Sequence, residues 1–216
     1  MFLIILALFS LVMKGYSLSC ISCFSGNVTN CFGGSISCPE NNECLSMVLK
    51  ITINGSTAQN FFRSCASKNQ CNITGSSSFP GGTMEMAANC CSEMDKCTPT
   101  EPQLPTTNNT QLNGIVCTQC QSINSDRCDT KNTMSCYGNE SMCIRLATTT
   151  TVFQTSALAF RGCATKTICD VNQQLFKTDQ LTTVYNYICT SAASSFHSAS
   201  LILFTFSALF STFFKL

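Results

Sequence analysis

The chain has 216 residues, with 12 basic side chains, 11 acidic ones, a single histidine and 18 cysteines. Removing Lys14 and Lys215, which lie in the two apolar terminal segments, leaves ten basic against eleven acidic side chains. This balance excludes the basic footprint of a nucleic-acid-binding protein, so we expect no nucleic-acid partner. The cysteine density indicates a disulfide scaffold in an exported chain, and metal or redox chemistry otherwise.

Residues 1–17 are interpreted as a signal peptide. Phe2 to Met13 is an apolar run interrupted only by Ser10, and it is too short for a spanning helix of ~20 residues. Gly15 and Ser17 supply the small residues needed for cleavage before Leu18. Because Lys14 follows the apolar run, a signal anchor or a short buried helix is the alternative. Export would place the cysteines in an oxidising compartment.

The chain contains one module twice. FRSCASKNQC at residues 62–71 reappears 98 positions later as FRGCATKTIC, and the offset between matched cysteines drifts only from 97 to 99. A tandem repeat of this kind fixes two modules, each of under ~100 residues. We assign the first module to residues 18–98 and the second to residues 117–190.

Each module is predicted to be built from strands. Residues 43–54 alternate around β-branched and apolar positions and end in Asn54-Gly55, a hairpin dipeptide, with the next strand near 59–66. Residues 143–153 and 156–164 repeat this hairpin with a different tip. No stretch within 20–189 keeps a 3.6-residue apolar period, so we expect an all-β chain.

Residues 99–116 are predicted to be a Pro-rich linker. Pro99, Pro102 and Pro105 favour extended backbone. Threonine and asparagine supply polarity and no apolar face. We therefore expect a semi-extended connection between the modules.

Two adjacent cysteines, Cys90 and Cys91, are expected to have different partners, because neighbouring residues of a strand point to opposite faces. In the second module Cys189 matches Cys90, but nothing matches Cys91 or Cys97. The loss of two cysteines together is what removal of one bridge would leave, so we infer a Cys91–Cys97 disulfide. A zinc site is the competing interpretation, since both modules begin with a C-x-x-C pair.

Five Asn-x-Ser/Thr triplets predict N-glycosylation of an exported chain, with each asparagine facing solvent. The five positions are Asn27, Asn54, Asn72, Asn108 and Asn139.

Residues 191–216 are interpreted as an attachment signal for a glycosylphosphatidylinositol (GPI) lipid. Small residues from Ser191 precede a polar spacer and an apolar stretch from Leu201 to Phe214. In this interpretation the tail is removed and the lipid is joined to Ser191. A single-pass helix starting near Phe196 is the alternative.

The sequence predicts no enzyme. The only histidine, His197, lies in the segment expected to be discarded, so no histidine-based triad is available to the mature chain. No phosphate-binding or dinucleotide motif is present. We expect no catalytic, metal-binding or cofactor-binding residue.

The cysteine order, together with the repeated Phe-Arg-x-Cys strand, resembles the lymphocyte-antigen-6/urokinase-receptor (LU) domain, which has a three-finger β fold. The resemblance covers residues 20–97 and 117–189. Eight cysteines can form four disulfides in about 105 ways, so spacing alone does not determine the pairing. The resemblance implies one specific pairing in each module. The implied pairs are Cys20–Cys44, Cys23–Cys31, Cys38–Cys65, Cys71–Cys90, Cys91–Cys97, Cys117–Cys143, Cys120–Cys128, Cys136–Cys163 and Cys169–Cys189.

Two such modules joined by a Pro-rich linker look most like the gamma-type phospholipase A2 inhibitors. The family's terminal Cys-Asn is Cys97-Thr98 in the first module and is missing from the second. Together with the terminal signals and the glycosylation triplets, the fold predicts a GPI-anchored, non-enzymatic surface glycoprotein that binds a protein ligand or receptor through its fingers. An inhibitor that sequesters phospholipase A2, which this resemblance implies, and a passive coat protein are the alternatives.

The middle finger of the second module is the predicted partner contact. It has no glycosylation triplet and carries three apolar residues that could anchor a partner, Val152, Phe153 and Leu158. Packing of these side chains against neighbouring strands is the alternative.

Overall fold

A computed structural model of the chain describes residues 17–26, 30–106, 110–151, 154–177 and 182–191. Most of the predicted leader and tail lies outside the described residues, as do Asn27, Asn108, Val152 and Phe153. None of the helical segments in the described part is long and apolar enough to cross a bilayer.

In its described part, the first module is made of strands and a 3-10 turn at Lys68–Gln70. Asn54 and Gly55 have φ angles of 49° and 82°, the left-handed conformation that a two-residue hairpin turn requires at both positions. The predicted hairpin is therefore present. The strands are β1 (Ser19–Ile21), β2 (Cys23–Gly26), β3 (Ser35–Ser37), β4 (Asn42–Ile53), β5 (Ser56–Ser67), β6 (Ile73–Phe79) and β7 (Gly82–Cys91).

The second module repeats this plan, with a helical turn, α1, at Lys166–Cys169. Its first strand begins at Leu112, within the segment assigned to the linker, because this stretch pairs with β10. The strands are β8 (Leu112–Thr118), β9 (Cys120–Ile123), β10 (Thr133–Tyr137), β11 (Met142–Thr151), β12 (Thr155–Ala164), β13 (Gln173–Lys177) and β14 (Thr182–Ser191).

One antiparallel sheet of ten strands runs through both modules. Its order is β13-β14-β11-β12-β6-β7-β4-β5-β2, with β9 also paired to β12, and β1-β3 and β8-β10 form two small separate sheets. The modules join where β12 meets β6, through the pairs Cys163 with Ser78 and Ala164 with Ser77. The prediction of an all-β chain with tandem disulfide-rich modules is confirmed.

One of the hydrophobic clusters is shared by the two modules. The rings of Phe79 and Phe160 stack across the junction with centroids 4.1 Å apart. The first module contributes Leu45, Met47, Leu49, Phe62, Met84 and Met86, and the second contributes Ile144, Leu146, Ile168, Val171 and Tyr187. Burial of this common apolar surface stabilises the two modules as one body.

A difference within the repeat marks the junction. The strand that reads Phe-Arg-Ser-Cys in the first module, with Ser64, reads Phe-Arg-Gly-Cys in the second, with Gly162. A Cβ at Gly162 would overlap the Ser78 carbonyl oxygen and approach Phe79 Cα to 3.0 Å. Because both neighbours are backbone atoms, only glycine lets β6 come this close.

The linker packs against the first module, contrary to the expectation of a segment without an apolar face. Pro99 and Pro102 are buried, and Leu104 packs on a cluster that includes Val48 and Phe61. These residues lie on the sheet face opposite the shared core, so this face also needs an apolar cover.

A side-chain amide fixes the start of the same segment. Asn89 Nδ2 donates to the Thr100 carbonyl oxygen at 3.2 Å and to Thr100 Oγ1 at 2.9 Å. The first part of the connection is therefore held on the first module by polar as well as apolar contacts.

Candidate binding surfaces

Every cysteine of the chain lies in a disulfide. The two C-x-x-C pairs are each divided between two bridges, so that Cys20 joins Cys44 while Cys23 joins Cys31. Cys90 and Cys91 have different partners, Cys71 and Cys97. The other bridges join Cys38–Cys65, Cys117–Cys143, Cys120–Cys128, Cys136–Cys163 and Cys169–Cys189. The nine pairs are those that the family resemblance implies.

A cleft of about 600 Å³ lies between the two modules. Its lining comes from β6 and β7 of the first module, from the end of the linker and from the turn after β10. Its lining residues include several that carry a hydroxyl or carboxylate group, among them Ser76, Ser78, Thr83, Glu85 and Glu140, while apolar atoms contribute most of the lining surface. The cleft therefore combines an apolar wall with hydrogen-bonding groups.

The two carboxylates of this cleft are held differently. Glu85 is paired with Lys50 at 3.1 Å. Glu140 is buried and accepts a hydrogen bond from Ser78 Oγ at 2.5 Å, across the boundary between the modules. Asn113 Nδ2 donates to the Glu140 carbonyl oxygen at 2.9 Å, which ties the same turn to the linker.

Burial raises the pKa of the Glu140 carboxyl above its ordinary range. Hydrogen bonds to the Ser78 side chain, the Tyr137 backbone and the Ser76 side chain lower it, and do not cancel the effect of burial. Through its hydrogen bond with Ser78, this carboxyl group joins the two modules. The described residues include no histidine and no free cysteine that could act beside it.

The middle finger of the second module carries an apolar surface at Leu158. This residue is half-buried and lies directly opposite Ile123 of β9, which is 73% exposed. Sequence reasoning named Leu158 and missed Ile123, whose contribution depends on β9 pairing with β12. Val152 and Phe153 follow the end of β11 and lie outside the described residues.

The predicted glycosylation positions within the described residues are exposed, namely Asn54, Asn72 and Asn139. Asn54 lies at the hairpin tip of the first module. Asn139 lines the cleft between the modules. A glycan at Asn139 would therefore cover part of the cleft and favour the finger surfaces as contact sites.

The u-PAR/Ly-6 domain family matches residues 16–100 and again residues 113–196. The two matches correspond to the two modules of the structure and leave the middle of the linker between them. A crystal structure of mouse TEX101 aligns over 80% of this chain and 99% of that chain, with 17% identity and a TM-score of 0.34.

Several snake proteins are similar in sequence. A gamma-type phospholipase A2 inhibitor of Gloydius brevicaudus siniticus is 23% identical over 162 residues, which are 74% of this chain and 80% of that protein. Its namesake from Elaphe climacophora is 24% identical over 116 residues, or 53% of this chain. Phospholipase A2 inhibitor NAI of Notechis ater is 25% identical over the same share. The chain spans 57% of the length of each of the last two relatives. With both modules matched, the chain belongs to the u-PAR/Ly-6 domain family.

Proposed function

We propose that this chain is a non-enzymatic extracellular glycoprotein that binds a protein ligand or receptor and is held on the cell surface by a GPI lipid at Ser191. The observation that supports the binding function is the shared core of the two modules, since it fixes the strands that carry the fingers relative to one another. Rigid surfaces lose less conformational entropy on binding than mobile ones.

The proposed contact surface is the middle finger of the second module, with Val152, Phe153 and Leu158. The exposed side chain of Ile123 beside Leu158 supports it, because a partner can bury both apolar groups together. The five glycosylation positions, Asn27, Asn54, Asn72, Asn108 and Asn139, lie on other parts of the chain.

Binding is tested with Phe153→Asp and Ile123→Asp in the full chain displayed on cells. A charge within a buried apolar contact is expected to weaken partner binding by about tenfold or more. Met94→Asp is the matched control, because Met94 is 68% exposed and lies in the first module. Unchanged affinity in both test variants would remove this surface from consideration.

The lipid anchor is tested by treating intact cells with phosphatidylinositol-specific phospholipase C. Release of the full ectodomain into the medium is expected, and a Ser191→Pro chain is expected to stay unreleased or to fail to reach the surface. Protein that remains on the membrane after complete cleavage of a known GPI-anchored marker would exclude the anchor.

A second candidate function is inhibition of a secreted phospholipase A2. The names of three snake relatives, all phospholipase A2 inhibitors, favour it. The test is binding of the purified chain to a panel of secreted phospholipases A2 by surface plasmon resonance, with an activity assay of any enzyme bound. Saturable binding with loss of phospholipase activity would support inhibition, and no binding at micromolar concentration would exclude it for that panel.

A further inference from the structure

Two arginines face each other across the central hairpin of the second module. Arg145 of β11 and Arg161 of β12 are directly opposite partners, a position that brings Cβ atoms within about 5 Å of each other. Like charges in this arrangement destabilise a sheet. The Nε atoms of both arginines are buried, and neither Nε has a hydrogen-bond partner among the described residues.

Within the described residues, the only ion pair of these two arginines is the one between Arg161 and Asp129. The Oδ1 atom of Asp129 lies 2.7 Å from Arg161 Nη2, and the aspartate side chain is 81% exposed against 26% for Arg161. An exposed ion pair contributes about 1 kcal/mol at most. One solvated carboxylate therefore pairs with Arg161. Arg145 has no ion-pair partner within the described residues.

The first module has only one arginine in the corresponding cross-strand pair. Arg63, the repeat of Arg161, lies opposite Ser46, and Arg63 Nε donates to Ser46 Oγ at 3.3 Å. The first module thus satisfies this donor internally. The second module replaces the acceptor with a cation, and the Nε donors of both its arginines are left without an acceptor in the described part of the chain.

The neighbouring strand indicates what kind of segment could cover the two arginines. In the first module Asn89, opposite Ser46, holds the linker residues Thr100 and Glu101 over this sheet face. The position of Asn89 is taken in the second module by Ile188, which lies opposite Arg145 and is 55% exposed. The face that the linker covers in the first module thus carries an exposed isoleucine in the second.

We propose that Arg145, Arg161 and Ile188 form a docking site for an extended, acidic segment of an extracellular protein partner, which lies on the second module as residues 99–104 lie on the first. Its carboxylates accept hydrogen bonds from the two guanidinium groups, and an apolar side chain packs on Ile188. This site lies on the opposite sheet face from Leu158. It rests on the proposed function to the extent that the chain binds a protein partner.

The chemistry favours a peptide over a polyanion. Recognition of a sulfated glycan or a nucleic acid needs an extended basic footprint, whereas the chain outside its terminal segments has ten basic and eleven acidic side chains. An exposed isoleucine beside two arginines suits a segment that combines carboxylate and apolar side chains.

The test uses the linker sequence as its probe. The peptide TPTEPEL, which is residues 98–104 with a second glutamate, is titrated into the full oxidised chain labelled with ¹⁵N. The Nε–Hε resonances of Arg145 and Arg161 are followed. We expect saturable shifts of both resonances with TPTEPEL and none with the neutral peptide TPTQPQL. Equal responses to the two peptides, or no response to either, would overturn the proposal.

Substitution separates the site from general charge effects. Arg145→Ser restores the arrangement of the first module and is expected to weaken TPTEPEL binding about tenfold, with a melting temperature no lower than that of the parent chain. Arg145→Gln serves if the serine variant does not fold. Lys68→Ser removes one exposed charge from the first module and should leave binding unchanged.

Unchanged binding by the Arg145 variants would refute the site. A sulfated heparin oligosaccharide that displaces the peptide and binds more tightly would assign the arginines to a polyanion instead. Because the readout is local to two arginines, either result would leave the finger contact and the lipid anchor untouched.

Discussion

Ser78 of the first module donates a hydrogen bond to the buried carboxylate of Glu140 in the second, with Oγ and Oε2 separated by 2.5 Å. No cation is paired with this carboxylate among the described residues, whereas Glu85 in the same cleft is paired with Lys50. The junction between the modules therefore contains an ionisable group whose charged form is poorly compensated.

Protonation of Glu140 is expected to strengthen the junction. A carboxyl group whose pKa is raised on folding contributes stability that is fully present below the pKa of the unfolded chain. That contribution is lost as the pH rises through the raised pKa. Between the ordinary carboxyl range and neutral pH, the free energy of unfolding should therefore fall.

Glu140→Gln should remove this pH dependence, because glutamine can still accept from Ser78 and carries no charge. Its stability at neutral pH should rise by about 1 kcal/mol. Urea unfolding of both proteins at several pH values measures the difference, with Glu101→Gln at an exposed position as the control. An equal pH slope in the Glu140→Gln and parent proteins would contradict the assignment.

Gly162→Ser places at the junction the residue that the first module has at the corresponding position, Ser64. The new Cβ would overlap the Ser78 carbonyl oxygen, so we expect a loss of about 1–3 kcal/mol or separation of the modules. The disulfides lie within the modules and should keep each of them folded. Small-angle scattering measures separation as an increased radius of gyration, and thermal unfolding measures the loss. The reciprocal change Ser64→Gly should leave the radius of gyration unchanged, and an unaltered Gly162→Ser protein would argue against a tight junction.

Removal of the Cys91–Cys97 bridge should be tolerated better than removal of Cys38–Cys65. The first closes a sequence separation of 6 residues and the second one of 27. Loop-closure entropy then gives losses of about 2 and about 3.5 kcal/mol.

Backbone contacts also remain around the shorter loop, where Lys96 N donates to the Ser19 carbonyl oxygen at 2.7 Å. Paired Cys→Ala variants compared by denaturant unfolding test the order of the two losses. A larger loss of unfolding free energy on removal of Cys91–Cys97 would contradict the loop-closure argument for these two bridges.

Leu104→Ser should loosen the linker from the first module. The substitution uncovers Val48 and Phe61, so a loss of about 1–2 kcal/mol is expected. Limited proteolysis should cut the linker faster in this variant than in the parent, while Gln103→Ser, at an exposed neighbouring position, should match the parent. Equal cleavage rates in all three would mean that Leu104 does not hold the segment.

The elements within each module follow from local patterns in the sequence. Asn54-Gly55 predicts the hairpin because both residues adopt positive φ readily, and the structure places a turn there with both angles positive. The repeated cysteine spacing predicts two similar modules. The resemblance, rather than the spacing, supplies the pairing of the cysteines.

The relation between the modules could not be predicted in this way. Ser77 and Ser78 belong to a polar run that suggests an exposed loop or edge, yet both are buried because β12 of the second module pairs with them. The exchange of Ser64 for Gly162 was visible in the repeat, but its meaning depends on which strand approaches. Non-local pairing of this kind leaves no periodic signal in either segment.

The packing of the linker on the first module could not be predicted for a related reason. Its prolines and threonines indicate extended backbone, but they do not indicate what covers Val48 and Phe61 on the second face of the sheet. Pro102 and Leu104 meet that requirement. The candidate site in the second module depends on the same face, and sequence reasoning did not identify Arg145 or Ile188.

The pairing of β11 with β14 sets how far each surface lies from Ser191, the residue at which we propose the lipid is attached. Ser191 lies opposite Met142 at the base of the finger, whereas Thr182 lies opposite Thr151 near its tip. At about 3.4 Å per residue, ten residues hold the tip roughly 30 Å from the point of attachment. Arg145 lies only about 10 Å along the strand from that point. With a lipid at Ser191, a segment docked on Arg145 would therefore bind nearer to the anchor than a partner held at the finger tip.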